Sequence, residues 1–193
     1  TIEPNTAFHR DPPERPDEDE ADAMQSAIEA RLAQAGYERY EVSAYAKPGH
    51  RCGHNVNYWR FGDYLGIGAG AHGKVSMPGR VVREVRCKQP KQYVERALAG
   101  DAVMERREVE PGELGFEFML NALRLTEGVP AALFAERTGV PIASIAREIG
   151  VAARRGLLDP DPALLRATPL GRRFLNELVA LFLRERAEAT DAR

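Results

Sequence analysis

Chemically reactive side chains are concentrated between positions 50 and 72. Three of the four histidines and one of the two cysteines lie there, namely His50, Cys52, His54 and His72. On an extended backbone His50, Cys52 and His54 would share one face, because side chains alternate along a strand. Imidazole and thiolate are common metal ligands, and His72 could be a fourth. The spacing is not that of a common structural zinc site, so ordinary surface or packing roles are the alternative, and we assign no metal ligands.

Polar amides and aromatic rings follow immediately. Asn55 and Asn57 stand beside Tyr58 and Trp59, the single tryptophan of the chain. This combination suits a flat aromatic ligand with polar edges. The alternative is that Tyr58 and Trp59 anchor a loop to the core.

A glycine-rich string covers residues 64–73. Gly68, Gly70 and Gly73 match the pattern G-x-G-x-x-G, but a dinucleotide site needs a helix to begin there. Residues 74–79 are a poor helix start, so we reject a dinucleotide-binding fold. We predict instead a strand over residues 64–67 that ends in a glycine loop, where the backbone can approach a ligand closely. A tight turn with packing glycines is the alternative.

A basic β-ribbon is predicted next. Residues 81–87 alternate in polarity, and Pro78-Gly79 marks a turn after residues 76–77. Four basic side chains on this ribbon could meet carboxylates or phosphates, namely Arg80, Arg83, Arg86 and Lys88. The alternative is an edge strand that its charges keep solvated.

The elements before these residues indicate a βαβ unit. Residues 1–4 read as the end of a strand, and Asp17 with Glu20 forms a capping-box pattern at the start of a helix that Gly36 ends. Residues 40–45 alternate as a strand. Strand, helix, strand normally implies a parallel sheet. The helix carries one apolar face, formed by Met24, Ala27, Ile28, Leu32 and Ala35.

The elements after these residues are helical. A first helix is predicted to end at Gly128, and further helices over residues 130–138, 141–155 and 169–183, with a small hairpin over 156–168. This order resembles a winged helix, for which DNA binding is a familiar role. Residues 113–193 hold eleven acidic and eleven basic side chains, so we favour a structural or lid role.

The composition is that of a globular protein without a membrane span. The 193 residues include 27 Lys and Arg against 29 Asp and Glu, for a net charge of -2. This balance argues against a dedicated nucleic-acid binder. No apolar run approaches the ~20 residues that a bilayer requires. Two cysteines cannot build a disulfide framework, so we expect a reducing, cytoplasmic location.

Four stretches together carry a family resemblance. Residues 1–6, 40–46, 54–59 and 64–73 resemble, in order and over essentially the whole chain, the HemW-like heme chaperones. These are radical SAM relatives of oxygen-independent coproporphyrinogen III oxidase. The string H-N-x-x-Y-W at residues 54–59 is the discriminating element and is typical of the chaperone branch.

The resemblance implies a fold of α/β + α class. Residues 1–73 would be the end of an incomplete (β/α) radical SAM barrel. Residues 74–112 would be a β-ribbon and connecting segment, and residues 113–193 a mostly helical, winged-helix-like domain. The full-length family binds S-adenosylmethionine and a [4Fe–4S] cluster through a C-x-x-x-C-x-x-C motif. Cys52 and Cys87 cannot replace three clustered thiolates, so this chain alone is expected to bind no cluster and to be inactive as an enzyme.

The resemblance also implies a function in binding heme and passing it to hemoproteins. His54 is then the predicted iron ligand, since neutral imidazole suits heme iron. Asn55, Tyr58 and Trp59 complete the predicted heme site, with Arg83 and Arg86 as partners of the propionates. Five positions are expected near S-adenosylmethionine, namely Val56, Asn57, Gly66, Gly68 and Gly70.

Two alternatives from other classes stay open. One is anaerobic oxidative decarboxylation of coproporphyrinogen III by the full-length protein, and the other is a winged-helix nucleic-acid-binding module. The partners that we expect are heme and a hemoprotein acceptor, which can be membrane-associated, and no nucleic acid. Open sheet edges also favour a homodimer.

Overall fold

The computed structural model describes residues 2–183, without the side chain of residue 18. The fold is mixed α/β, as predicted. The N-terminal elements are α1 (Ala7–Arg10), α2 (Glu18–Gln34), β1 (Glu38–Glu41), β2 (Ala44–Ala46) and α3 (Gly53–Trp59). The central elements are β3 (His72–Met77), β4 (Arg80–Arg86), α4 (Pro90–Leu98) and β5 (Val103–Glu108). The C-terminal elements are α5 (Pro111–Ala122), β6 (Val129–Pro130), α6 (Ala132–Thr138), a 3-10 turn (Ile142–Ile145), α7 (Ala146–Arg154), β7 (Leu164–Leu165), α8 (Pro169–Arg173) and α9 (Leu175–Ala180).

Helix α2 begins at the predicted capping box. The Asp17 carboxylate accepts a hydrogen bond from the Glu20 amide at 2.8 Å, and the Asp17 amide donates to the Glu20 carboxylate at 3.1 Å. These bonds satisfy two of the amides that a helix N-terminus leaves unpaired. The predicted apolar face is not buried, since Met24 is 56% exposed and Ile28 49%. No helix within residues 2–183 is long and apolar enough to cross a membrane.

The predicted parallel βαβ unit is wrong. Residues 2 and 3 are irregular and residues 4–5 form a turn, while residue 1 lies outside the described residues. The strand predicted over 40–45 is divided into β1 and β2, which pair antiparallel. Glu41 explains the division, because its carboxylate accepts from both the amide and the hydroxyl of Ser43 at 3.1 and 3.0 Å. Those bonds close a tight turn in the middle of the predicted strand.

The predicted β-ribbon is confirmed and gains a third strand. Strands β3 and β4 pair antiparallel from His72 opposite Val85 to Met77 opposite Arg80. The turn between them contains Gly79 at φ +76°, which favours glycine. Strand β5 then adds to the other side of β4, antiparallel, and the sequence analysis did not predict it.

The helical C-terminal part differs from prediction at four points. Helix α5 ends at Ala122 rather than at Gly128, and the helix predicted over 141–155 is divided at Ile145 into a 3-10 turn and α7. Residues 129–130 pair with β7 before α6 begins, and the last predicted helix is interrupted at Phe174, with φ −111°. The predicted hairpin over 156–168 is present, since Leu158 and Ala167 form an antiparallel bridge flanked by backbone hydrogen bonds from Asp159 to Arg166 at 2.8 Å and from Thr168 to Leu157 at 3.0 Å. Residues 184–193 of the predicted last domain lie outside the described residues.

One hydrophobic core joins the ribbon to the helices. Phe118, Met119 and Ala122 on α5 are completely buried at its centre. The Phe118 ring contacts Phe61 at 5.7 Å and Phe134 at 5.2 Å between centroids, both edge to face. Such contacts add to the free energy of burial. Because Phe61 lies two residues after the end of α3, the core holds that helix against α5.

Candidate functional site

Helix α3 contains the H-N-x-x-Y-W string of residues 54–59. The Val56 amide donates to the Cys52 carbonyl at 3.0 Å, so the backbone is helical where an extended histidine face was predicted. That prediction is wrong, and the His50 ring lies against the Pro48 carbonyl at 2.9 Å. Within residues 2–183, no three His, Cys, Asp or Glu side chains are grouped to hold a metal ion.

The helical backbone gives the string a different geometry. Residues four apart lie on one helix face, so His54 and Tyr58 meet edge to face with 4.4 Å between ring centroids. Tyr58 also meets Tyr64 edge to face at 4.4 Å. A ladder of three rings therefore runs from the exposed His54 to the half-buried Tyr64.

A sharp turn separates α3 from the glycine-rich segment. Phe61 adopts φ +53°, which is costly for an aromatic residue. A Cβ atom on Gly62 would lie 2.0 Å from the Asn57 side-chain oxygen. The Asn57 amide group donates to the Asp63 carbonyl at 2.9 Å, so Asn57 stabilises this turn.

The strand predicted over residues 64–67 is wrong. Only Tyr64 pairs, through reciprocal backbone hydrogen bonds of 2.9 Å with Lys74. Leu65 and Ile67 are 75% and 84% exposed. The backbone at Gly66 approaches β3 so closely that a Cβ atom there would lie 2.4 Å from the His72 carbonyl oxygen. The close approach of backbone that the glycines predicted therefore occurs, but against the protein's own strand.

The glycine loop beyond residue 67 folds away from α3. The Gly68 amide donates to the Tyr93 hydroxyl of α4 at 3.0 Å, and the Gly70 amide donates to the Cys87 carbonyl at 2.8 Å. Both glycines have positive φ, +109° and +71°. Their bonds fix the loop to the end of β4 and to α4.

These elements enclose an open cleft of about 570 Å³. The cleft brings together residues of α3, the segment 61–67, the strands β3 and β4, and α5. The lining side chains and backbone belong to His54, Tyr58, Trp59, Phe61, Gly62, Tyr64, Leu65, Gly66, Ile67, Ala71, His72, Lys74, Arg83 and Asn121. A cleft of this volume is typical of a small-molecule site.

The structure therefore brings together four of the nine predicted site residues. His54, Tyr58, Trp59 and Gly66 line the cleft. Five do not line it, namely Asn55, Val56, Asn57, Gly68 and Gly70. Tyr64, Lys74 and His72 line it although the sequence analysis did not place them in the site. The signal for Tyr64 and His72 was their position at the two ends of the glycine-rich string.

The two arginines predicted to meet propionates already have internal partners. Arg83 donates from Nε and Nη2 to the Glu117 carboxylate at 2.8 and 2.6 Å, and from Nη1 to the Tyr64 hydroxyl at 3.2 Å. Burial lowers the pKa of Arg83, but the bonds to Glu117 outweigh it and leave the pKa above its ordinary value. Arg86 donates to the Gly66 carbonyl at 3.1 Å.

Lys74 lies at the floor of the cleft and is 1% exposed. Its ammonium donates to the Phe61 carbonyl, the Asp63 carboxylate and the Ser76 hydroxyl at 3.0, 2.9 and 3.1 Å. Burial lowers the pKa of Lys74, and the opposing effect of Asp63 does not fully compensate. Because all three donors are occupied, Lys74 fixes the strained turn at Phe61 to strand β3.

Trp59 has an unpaired donor. The Arg124 guanidinium lies over its ring at 4.2 Å from the centroid. The indole Nε1 is buried and has no hydrogen-bond partner in the described part of the chain. Buried donors are nearly always paired, so the Trp59 indole is an exception among the described residues.

The class of the fold follows from two comparisons. Residues 109–174 match the family model of the HemN C-terminal domain. Coproporphyrinogen III oxidase (HemN) from Escherichia coli, a radical SAM enzyme, aligns with a TM-score of 0.59 over 86% of this chain and 42% of that one, at 18% identity. The chain therefore has the fold of the corresponding part of HemN.

The sequence comparisons are more specific. The chain is 42% identical over 186 residues to the heme chaperones HemW of Haemophilus influenzae and Escherichia coli, which covers 96% of this chain and 48% of each relative. It is 31% identical over 175 residues to heme chaperone HemW of Bacillus subtilis, over 88% of this chain and 44% of the relative. The chain thus spans about half the length of these relatives. The resemblance to HemW-like heme chaperones is therefore confirmed over nearly all of this chain.

The residues present do not fit an iron–sulfur cluster. The chain has two cysteines, fewer than the three thiolates of a C-x-x-x-C-x-x-C motif. Cys52 is exposed, whereas the buried Cys87 thiol donates to the Gln92 side-chain oxygen at 2.9 Å. These two cysteines cannot hold such a cluster by themselves.

Proposed function

We propose that the cleft binds heme, and that the chain acts in a heme chaperone that delivers heme to hemoproteins. One observation carries the proposal: an imidazole, two aromatic side chains and two exposed aliphatic side chains surround the same cleft. These are His54, Tyr58, Trp59, Leu65 and Ile67. Heme offers a metal ion and a flat apolar face, so each group has a counterpart.

His54 is the proposed ligand of ferrous heme iron. Its side chain is exposed, and in the described part of the chain its ring makes an edge contact with Tyr58 but no hydrogen bond. A histidine that holds a loop together would use its ring nitrogens in hydrogen bonds. An imidazole nitrogen free at the mouth of a cleft instead suits iron ligation.

The wider architecture belongs to the same proposal. Residues 1–73 correspond to the end of a radical SAM barrel, 74–112 to the ribbon and connecting segment, and 113–193 to a winged-helix-like domain. Asn55 flanks the proposed heme site on α3 without lining the cleft. Val56, Asn57, Gly68 and Gly70 are proposed to lie near S-adenosylmethionine in the full-length protein, with Gly66 where that site would adjoin the heme cleft. A hemoprotein acceptor and a second copy of the chain are the proposed partners.

Coproporphyrinogen oxidation by the full-length protein is the second candidate. The fold shared with HemN favours it. The relatives at 42% identity are named heme chaperones, whereas HemN is 18% identical. Identity therefore favours the chaperone.

The test is a titration with heme kept ferrous by excess dithionite. We expect the wild-type chain to shift the Soret band, and His54→Ala to lose that shift without a change in circular dichroism or melting temperature. His50→Ala is the matched control, because His50 lies outside the cleft lining and should leave binding unchanged. A His54→Ala variant that melts earlier and still binds heme would show that His54 is structural.

A further inference from the structure

The Tyr64 hydroxyl occupies an unusual environment in the cleft. Tyr64 is half-buried and lines the cleft. In the described part of the chain, its hydroxyl takes part in one hydrogen bond, which it accepts from Arg83 Nη1 at 3.2 Å. A phenolic oxygen can both donate and accept hydrogen bonds, so the single bond from Arg83 leaves it free to bind a metal ion as well.

The Arg83 guanidinium, which donates to the Tyr64 hydroxyl, is held in place by a second partner. Its Nε and Nη2 groups are fixed by the Glu117 carboxylate at 2.8 and 2.6 Å, on the central helix α5. A guanidinium is planar, so two bonds to Glu117 also set the direction of the Nη1 group toward Tyr64. The strong pairing keeps the guanidinium charged at any pH where the protein is folded.

Tyr64 and His54 mark two separate positions in the cleft. The Tyr58 ring contacts each of them edge to face, with 4.4 Å between ring centroids. His54 is exposed and lies toward solvent, and Tyr64 lies further inside.

We propose that Tyr64 is a second iron-ligating residue of the cleft, which binds ferric heme through its phenolate, with Arg83 as its positioning residue. The proposal rests on the proposed function. On binding, the Tyr64 O–H proton passes to solvent, an oxygen–iron bond forms, and the water bound to ferric iron leaves. No electron is transferred. Tyrosine is an established heme ligand, and the hard phenolate prefers ferric iron, whereas imidazole suits the softer ferrous ion.

The first experiment compares variants of the chain in titrations with hemin, the ferric form. We expect wild-type complexes to show phenolate modes in resonance Raman spectra. Tyr64→Phe keeps the ring that packs on Tyr58, and should lose these modes and bind hemin roughly tenfold more weakly. The control Tyr37→Phe, outside the cleft lining, should behave as wild type. His54→Ala should retain the phenolate modes.

The second experiment tests the positioning role of Arg83. Arg83→Gln removes the donor that orients the Tyr64 hydroxyl, so the phenolate modes of the hemin complex should weaken at constant pH while hemin still binds. Arg80→Gln, an exposed change on the same strand, should leave the modes unchanged. Phenolate modes of wild-type intensity in Arg83→Gln would overturn the role of Arg83.

The outcomes separate this proposal from the proposed function. If the wild-type chain binds neither ferrous heme nor hemin, the proposed function fails. If it binds both, and Tyr64→Phe retains the hemin affinity and the Raman spectrum of wild type, then only the role of Tyr64 is overturned.

Discussion

The side chain of Lys74 shows how single residues shape the cleft. A fully buried lysine is rare unless its charge is paired, and here the ammonium has three hydrogen bonds and lies 4.2 Å from the centroid of the Phe61 ring. Its acidic partner Asp63 has a side chain that is 41% exposed. The pair is therefore partly screened by solvent, and its contribution to stability is smaller than that of a fully buried pair.

The pH dependence of stability tests this pair. Burial raises the pKa of Asp63, but hydrogen bonds from Lys74 and Ser76 outweigh it and hold the pKa below its ordinary value of 3.8. A carboxyl group whose pKa is lower in the folded state stabilises the fold above its unfolded pKa, and this contribution is lost as the pH falls through the folded pKa. Asp63→Asn should lower the free energy of unfolding by about 1 kcal/mol at neutral pH.

The difference between wild type and Asp63→Asn should shrink below pH 3.8, as measured by urea unfolding. Asp22→Asn is the control, since Asp22 forms an ion pair with Arg173 in which both side chains are more than two-thirds exposed. A difference that is independent of pH would contradict the assigned role of Asp63.

At the level of single residues, sequence reasoning found part of the cleft. His54 and Tyr58 were both selected, but their contact needs a helix, which the predicted extended backbone excluded. Lys74 could not be found, because its burial depends on the bridge to Tyr64 and on the turn at Phe61. The sequence also left open whether the basic side chains of the ribbon bind a ligand or an internal partner, since the partner of Arg83 is Glu117, 34 positions away.

Among the contacts between elements, the close packing of residue 66 on strand β3 places the strictest limit on side-chain size, because only glycine fits there. Gly66→Ala would place a Cβ atom 2.4 Å from a backbone oxygen that cannot move without disturbing β3. We expect a loss of about 2 kcal/mol in unfolding free energy, within the range for overpacking, measured by denaturant unfolding.

The control for Gly66→Ala is Gly53→Ala. Gly53 begins α3, and nothing lies within 4 Å of a Cβ atom there. Alanine favours helix over glycine by up to about 1 kcal/mol, so this variant should be as stable as wild type or more so. If Gly66→Ala were as stable as Gly53→Ala, the packing of residue 66 on β3 would be refuted.

Local signals predicted elements well, and pairing partners poorly. The capping box of α2 and the turn between β3 and β4 depend on residues close in sequence, and both were predicted. The parallel sheet was inferred from the order strand, helix, strand, and it failed because Glu41 and Ser43 close a turn within the second strand. Strand β5 was missed because residues 103–108 carry four consecutive charged side chains, which hide the alternation of a strand.

Across the whole molecule, the cleft depends on distant segments that share one core. Phe61 follows α3, Val81 lies on β4, and both belong to the same buried cluster as Phe118. The β1–β2 hairpin is joined to this body by Arg124, which donates to Glu41 at 3.1 Å. The site is therefore a property of the folded chain rather than of the string H-N-x-x-Y-W alone.

The most direct test of heme binding in the cleft is to add hemin to the protein and measure the quenching of the fluorescence of Trp59, the single tryptophan. We expect saturable quenching at one equivalent. Ile67→Glu places a charge on an 84% exposed side chain of the cleft, whereas Leu98→Glu changes an 86% exposed side chain outside its lining. Ile67→Glu should weaken binding roughly tenfold, and Leu98→Glu should not. Quenching that does not saturate, or equal affinities of the two variants, would contradict heme binding in this cleft.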